Sequence, residues 1–350
     1  MTASRRSDIA ALQVHRYHET PIIAVDEIPP PTCGPHDVVV APRAAALHVA
    51  DLLMMKGEYQ VRPELPFVPG MEAAGLVIEV GDQVTHLARG DRVLAMMTQG
   101  AIAGAVVVPG AQVAKIPDSM TYSAAATFGI AYFTAYTALH FRAGLRAGET
   151  VLVTGALGGV GRAVAQLAKA AGATVLVASR HLEEARTELR EHVDEVVDAD
   201  PDSIAQVVRS RTGGCGADVV VDVVGGPLLG QLVRATAWEG RLVIVGFAAG
   251  TPSPIKPGHL LVKNISVLGL QSTDYWSRCP DRVQAALGRL LSMVDAGALS
   301  VPEPHEFRLD EIDVAMRAVT EGSSRRNVVI LIDQRTTTEW RTDSGSSQLG

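Results

Sequence analysis

Cysteine is scarce in this chain. Cys33, Cys215 and Cys279 are its only three in 350 residues, far apart and without a C-x-x-C pair. That argues against a disulfide framework and against a cysteine-built zinc site, and it suits a reducing, cytoplasmic setting. Runs of Lys or Arg are also missing, and 31 basic residues against 38 acidic ones leave a net charge of −7. Neither nucleic acid nor an anionic membrane is therefore expected as a partner. No apolar segment follows Arg5 and Arg6, so no secretory signal is expected. Residues 119–141 lack Lys, Arg, Asp and Glu over a length that could span a bilayer. Their Ala, Thr, Tyr and Ser content is too polar for that, and buried helical turns are expected instead.

What is present begins with length. At 350 residues and 47% hydrophobic, the chain can fill two domain cores. Its most informative stretch, residues 149–180, reads ETVLVTGALGGVGRAVAQLAKAAGATVLVASR. Val151 to Thr154 reads as a buried strand, Gly155, Gly158, Gly159 and Gly161 punctuate a turn, Arg162 to Ala171 runs at helical period, Gly172 closes the helix, and Thr174 to Ala178 forms a second strand. This strand, glycine turn, helix and strand is the βαβ dinucleotide-binding unit, with Ala156 in place of the first glycine of the fingerprint. Pyrophosphate would sit on the helix N-terminus against Gly155, Ala156, Gly158, Gly159, Val160 and Gly161. About twenty residues on, an acidic side chain would bind the ribose hydroxyls of NAD. Here Ser179 and Arg180 occupy that place, and no carboxylate lies between Gly161 and Arg180, so the residues favour NADPH. The other reading of Arg180 is an ordinary solvated side chain.

Downstream, Val196 and Val197, Ala217 to Val223 and Arg241 to Gly246 read as further strands, with helices over Ser203 to Arg211 and Pro227 to Ala237. Such alternation gives an α/β fold with a doubly wound parallel sheet. Ligands bind beyond the carboxyl ends of its strands, which puts Val223 to Gly225 and Val245 to Phe247 beside the adenosine and nicotinamide halves. Upstream, residues 1–10 read as a loose polar extension, Val38 to Val40 as a strand, and residues 43–93 as the core of a small barrel-like β-domain. Arg282 to Ala296 and Asp310 to Glu321 read as helices, Asn327 to Ile332 as a strand, and residues 335–350 as a polar, mobile tail.

The segments DLLMMKGEYQ, LPFVPGMEAAG, GDRV and GALGGVG, followed by VGFAAG and LLVKNISVLG, resemble the medium-chain dehydrogenase/reductase superfamily, and within it the zinc-free NADPH:quinone oxidoreductase family. The resemblance implies a Rossmann-type domain over residues 126–264 and a GroES-like catalytic domain over residues 1–125 and 265–350. It implies that Thr127 to Ala131 lies beside the cofactor where the domains meet, that backbone groups at Val245, Gly246 and Phe247 hold the nicotinamide amide, and that Asn327 passes near the cofactor. It also implies a homodimer paired through the edge strand of residues 263–270, which would cover an open sheet edge. In the zinc-bearing branch a His precedes the Glu of G-x-E, whereas here the order is Gly70, Met71, Glu72, and no cysteine falls between Cys33 and Cys215. No metal is expected, and Glu72 is expected to hold a backbone or basic partner. Similar proteins carry a lysine after the second strand and a tyrosine after the third; here Glu183 and Glu184, and Ala199, stand there. The NADPH preference then rests on Ser179 and Arg180.

Without zinc, hydride addition suits acceptors whose anions are delocalised, namely quinones and α,β-unsaturated carbonyls, in a cleft between the domains. Two candidates for the reacting groups follow. His48 stands where the resembled family commonly has asparagine, and it is either a proton donor or a hydrogen-bonded core histidine. Tyr59 either binds the substrate oxygen or packs as an amphipathic wall, with Met54 and Met55 as cleft or core residues. Asp51 either caps the helix begun near Ala50 or orients His48. Two other functions remain open, an enoyl-thioester reductase and a protein that binds NADPH without turnover.

Overall fold

The computed structural model describes residues 7–251, 253–320 and 327–333. Expectations for residues 1–6 and 335–350, for Glu321, and for Arg325 and Arg326 ahead of Asn327 lie outside the described residues. The chain divides into two compact units: among the described residues, 7–129, 280–291 and 301–333 form the first, and 130–279 and 292–300 the second.

The first unit is antiparallel in its main pairings. Strand β1 (Ile9–Arg16) pairs with β2 (Ile22–Ile28). Ile9 opens β1 at 2% exposure and packs with Ala11, Val39, Ala103 and Ala105, so the expected loose extension gives way to a strand two residues before Ala11. The apolar residue at that position has a core to enter. Strand β3 (Asp37–Leu47) is the spine, followed by β4 (Glu72–Val80), β5 (Arg92–Met96), β6 (Val106–Pro109) and β7 (Val113–Lys115). Val38, Val39 and Val40 are fully buried, because β3 is covered on both faces and reads as a continuous apolar run. Between β3 and β4, Pro42 faces Gly75 at a register shift, and a Cβ on Gly75 would lie 2.1 Å from the Ala41 carbonyl oxygen. Only glycine permits the strands to approach that closely.

The second unit holds six strands, β8 (Thr150–Thr154), β9 (Thr174–Ser179), β10 (Glu195–Asp198), β11 (Ala217–Asp222), β12 (Thr236–Ile244) and β13 (Ser266–Gly269). They lie in the order β10-β9-β8-β11-β12-β13, and every neighbouring pair is parallel. This is the expected doubly wound Rossmann sheet, with its order reversing at β8. The expected helix Pro227 to Ala237 is a 3₁₀ turn (Gly226–Leu228) and a helix (Leu229–Ala235), and β12 begins at Thr236. β13 adds to this sheet, so residues 265–279 belong with the second unit rather than with the first, and the unit begins at residue 130 rather than 126. The uncharged stretch of residues 119–141 forms the helices Tyr122–Ala125 and Gly129–Tyr136 and a π-helical turn, Thr137–Arg142. No described helix is long and apolar enough to cross a membrane.

The chain returns to the first unit through β14 (His305–Arg308) and β15 (Val328–Leu331). β15 pairs with Ala44 to Leu47 of β3, and β6 pairs with Asp37 to Val40, so both share one edge of the spine while β4 takes the other.

Candidate active site

In the second unit the glycine turn is built by two close approaches. Gly155 ends β8 at φ +67°, and the Gly158 N–H closes the turn onto its carbonyl at 3.0 Å. Gly158 is the N-cap of the helix Gly159–Ala170, whose first i→i−4 bond runs from Arg162 N–H to the Gly158 carbonyl at 3.0 Å. The amides of Gly159, Val160 and Gly161 therefore precede the ladder and point out of the helix end as free donors. A Cβ on Gly161 would lie 2.4 Å from the Gly155 carbonyl oxygen and 2.8 Å from Ala156 Cα, so this glycine lets helix and strand touch. These features fit a dinucleotide pyrophosphate: donors converge, and the side chains that would obstruct its approach are absent.

Behind the turn lies a pin that joins β8 to β11. Thr154 Oγ1 donates to Asp222 Oδ1 at 2.7 Å and accepts from Val223 N–H at 3.0 Å. Asp222 Oδ1 also accepts from the amides of Val224 and Gly225, at 3.1 and 3.0 Å. Both side chains are buried, at 1% and 0% exposure. The Asp222 carbonyl accepts from Val245 N–H at 2.9 Å, which brings the Val223 loop and the Val245 loop together at the ends of β11 and β12. Gly246 backs onto the Val223 carbonyl, and Phe247 is 49% exposed beside Gly225. Sequence reasoning missed this pin. Its one visible signal is a carboxylate closing the apolar run Val219 to Val221.

At the end of β9, Ser179 is buried and its Oγ accepts from His181 N–H at 3.0 Å, while Arg180 is exposed. Ala199 N–H donates to the Ser179 carbonyl, so the end of β10 is held beside it. Thr127 and Asn327 belong to the first unit. Thr127 is buried and its hydroxyl donates to the Ala124 carbonyl at 3.1 Å, and the Asn327 carbonyl accepts from His305 N–H.

The first unit also places His48. It is the N-cap of the helix Val49–Lys56, and Asp51 in the first turn accepts from the His48 backbone N–H at 2.7 Å and from Gly70 N–H at 3.1 Å. Asp51 thus supports the helix start and orients His48 through its backbone, joining the two roles considered for it. His48 Nε2 lies 2.8 Å from Glu72 Oε1, with Glu72 1% exposed and the His48 side chain 24% exposed. Glu72 has a basic partner, as expected. Burial alone lowers the His48 pKa, but the hydrogen bond and charge of Glu72, with the charge of Asp51, outweigh it and raise it above 6.5. Burial pushes the Asp51 carboxyl up, against the pull of His48 and the two amides. Tyr59 is half-buried, and burial followed by the charge of Asp51 raises its phenol above 10.0, so it stays neutral. Met54 and Met55 are core residues, at 2% and 0% exposure. Among the described residues, no group of three or more His, Cys, Asp and Glu side chains is placed to hold a metal ion.

Two family models match the chain: the alcohol dehydrogenase GroES-like domain over residues 34–118 and the zinc-binding dehydrogenase over residues 159–291. A quinone oxidoreductase-like protein 2 homolog of Nematostella vectensis is 37% identical over 314 residues, covering 89% of this chain and 86% of that protein. The chain belongs to the zinc-free quinone oxidoreductase family of the medium-chain dehydrogenase/reductase superfamily. It is an oxidoreductase. Among solved structures, a mycobacterial protein complexed with NADPH is 26% identical, with TM-score 0.83 over 93% of this chain and 100% of that one. The CurK enoyl reductase, at 22% identity and TM-score 0.83 over the same shares, has the same fold. The carboxylate partner of His48, Glu72, lies 24 residues further along the chain.

Proposed function

We propose that this oxidoreductase uses NADPH, without zinc, to reduce a quinone or an α,β-unsaturated carbonyl compound. The observation that carries the reading is the end of the parallel sheet: free helix amides at Gly159 to Gly161, a glycine turn closed to side chains, and an exposed Arg180 beside a β9 end that lacks a carboxylate. Bound there, NADPH supplies a hydride. The Gly155 to Gly161 turn holds its pyrophosphate, Ser179 and Arg180 meet its 2′-phosphate, and the Thr154–Asp222 pin sets the Val223 and Val245 loops that, with Phe247, form further cofactor contacts within the same unit. His48 and Tyr59 serve the acceptor as donors to its oxygen. A homodimer formed through the β13 edge is part of the same reading, because Trp238, Leu261 and Val262 leave 63%, 79% and 71% of their surface exposed in the β13-bearing unit. We place the enzyme in the cytoplasm.

A thioester reductase would need a basic entrance for its carrier. Of the basic residues at hand, Arg62 is stacked over the Tyr17 ring at 4.5 Å, which weighs against that alternative. The test is the absorbance decay of NADPH and of NADH against quinones, small enones and one enoyl-CoA. Decay selective for NADPH with quinones or enones supports the proposal. Activity confined to the thioester overturns it, and tight NADPH binding with no turnover makes the protein a binder. Light scattering of wild type and Leu261→Asp tests the dimer, which should become a monomer.

A further inference from the structure

The carboxyl end of β9 carries no carboxylate of its own, but the fold lays one beside it. β10 is the outer strand of the parallel sheet, and its last residue, Asp198, is the register partner of Ser179, the last residue of β9. The Ala199 N–H donates to the Ser179 carbonyl at 3.2 Å, which holds the two strand ends together. Register partners in a parallel pair lie about 4.8 Å apart and present their side chains to the same face of the sheet. Asp198 therefore stands one strand over from the place where a Rossmann carboxylate would take the adenosine ribose. The helix Leu182–Glu188 lies between the two residues in the chain, so only the pairing brings them together.

The surrounding carboxylates are already engaged. Asp194 pairs with Lys169 and Glu195 with Arg211, while Asp200 accepts from the Ser203 hydroxyl and the Asp202 N–H. After β9, Glu183 pairs with Arg186, and Ser179 Oγ is taken up by the His181 N–H. Asp198 and Arg180 differ. Both are exposed, and neither side chain has an ion pair or hydrogen bond among the described residues. Two opposite charges thus stand at adjoining strand ends, paired neither with each other nor with any other described residue, and both are open to a ligand.

The two nicotinamide cofactors ask for opposite charges there. A 2′-phosphate carries about 1.5 to 2 negative charges near pH 7, so Arg180 attracts it and a carboxylate opposes it. A ribose 2′-hydroxyl is a donor, for which a carboxylate is a strong acceptor. On the reading proposed above, which puts the adenosine ribose at this end of the sheet, we infer that Asp198 is a second determinant of cofactor choice. It accepts from the ribose hydroxyl of NADH and weakens NADPH, so the site takes both cofactors and Arg180 supplies the margin for NADPH.

The experiment titrates wild type, Asp198→Asn, Asp198→Ser and Arg180→Ala with NADPH and NADH by cofactor fluorescence. Calorimetry with 2′,5′-ADP and 5′-AMP, which differ by the 2′-phosphate alone, isolates the adenosine half. Wild type should bind both cofactors. Asp198→Asn should bind NADPH about threefold or more tighter and NADH about fivefold or more weaker, with 2′,5′-ADP and 5′-AMP moving in the same two senses. Raising NaCl from about 0.05 M to about 0.5 M should shrink the NADPH gain, because exposed charges are screened, and leave most of the NADH loss. Tm should stay unchanged, because Asp198 has no partner among the described residues to lose. A merely structural Asp198 would move both cofactors together. Equal shifts for both, an NADH affinity that neither Asp198 variant lowers, or a wild type that binds NADPH but not NADH would overturn the inference while the NADPH reading stands. A wild type that binds neither cofactor removes both. Should Asp198→Asn fail to fold, Asp198→Ser decides by the same opposed shifts.

Discussion

Replacing Gly161 by alanine tests the glycine turn most directly. The added Cβ would meet the Gly155 carbonyl oxygen at 2.4 Å, the Gly155 carbonyl carbon at 2.6 Å and Ala156 Cα at 2.8 Å, all of them backbone atoms. Real Cβ contacts stay beyond 3.0 Å, so helix and turn must part by at least 0.6 Å. Overpacking of this kind costs about 1–3 kcal/mol. For a unit of this size that lowers Tm by about 2–4 °C per kcal/mol. The same displacement takes an amide donor out of hydrogen-bond range of a bound pyrophosphate. Losing one hydrogen bond to a charged group costs about 1.5–3 kcal/mol, roughly a 10- to 150-fold weaker dissociation constant for NADPH. Gly158→Ala is the control, because its Cβ would sit 3.4 Å from the Gly155 carbonyl oxygen and its φ of −86° suits any residue. Differential scanning fluorimetry reads the first effect and NADPH fluorescence titration the second. If Gly161→Ala binds NADPH as tightly as wild type, or Gly158→Ala loses as much as Gly161→Ala, close packing at Gly161 does not build the site.

Thr154→Val is nearly isosteric but removes the hydroxyl that Val223 N–H and Asp222 Oδ1 both use. It should cost about 1–3 kcal/mol in thermal or urea unfolding and weaken NADPH binding, and an unchanged Tm would deny the pin a role. Arg180→Ala should weaken NADPH binding about 10-fold or more while leaving NADH within about twofold, measured by parallel titrations; equal losses would make Arg180 an ordinary solvated residue. Burial raises the Glu149 carboxyl, but its hydrogen bonds and charge contact with Arg241, with help from Arg146, outweigh that and hold it below 4.5. A folded-state pKa below the unfolded one stabilises above pH 4.5, and that stability is lost as pH falls through the folded value. Glu149→Gln should therefore lower Tm at pH 7 by the equivalent of about 1 kcal/mol and flatten its decline below pH 4.5, and a parallel decline in both proteins would refute the assignment.

The parallel sheet was legible because its signals are local. Val151 to Thr154, the glycines at 155 to 161, the helical period after them and Gly172 lie within one βαβ unit, and periodicity needs only neighbouring residues. Edges were less legible where tertiary pairing moved them. Ile9 lies in a polar stretch and becomes a strand because β2 and the Ala103 region cover it. Ala237 reads as helical but enters β12 because parallel pairing to β11 is available. Polar networks were legible least. Thr154 and Asp222 are 68 residues apart, and His48 and Glu72 are 24 apart, so each pair exists only once strands from different parts of the chain are laid side by side. In the sequence each member looks bland: a threonine ending a strand, an aspartate closing an apolar run, a histidine where an asparagine was expected, a glutamate after a methionine. Burial tells them apart. A carboxylate taken to zero or 1% exposure must be paired or protonated, so Asp222, Asp51 and Glu72 each required partners that the sequence could not name. The pairing of Glu72 with His48 orients that histidine's ring and favours its protonated form. That partnership is visible only in the fold, because nothing local in the sequence joins residue 48 to residue 72.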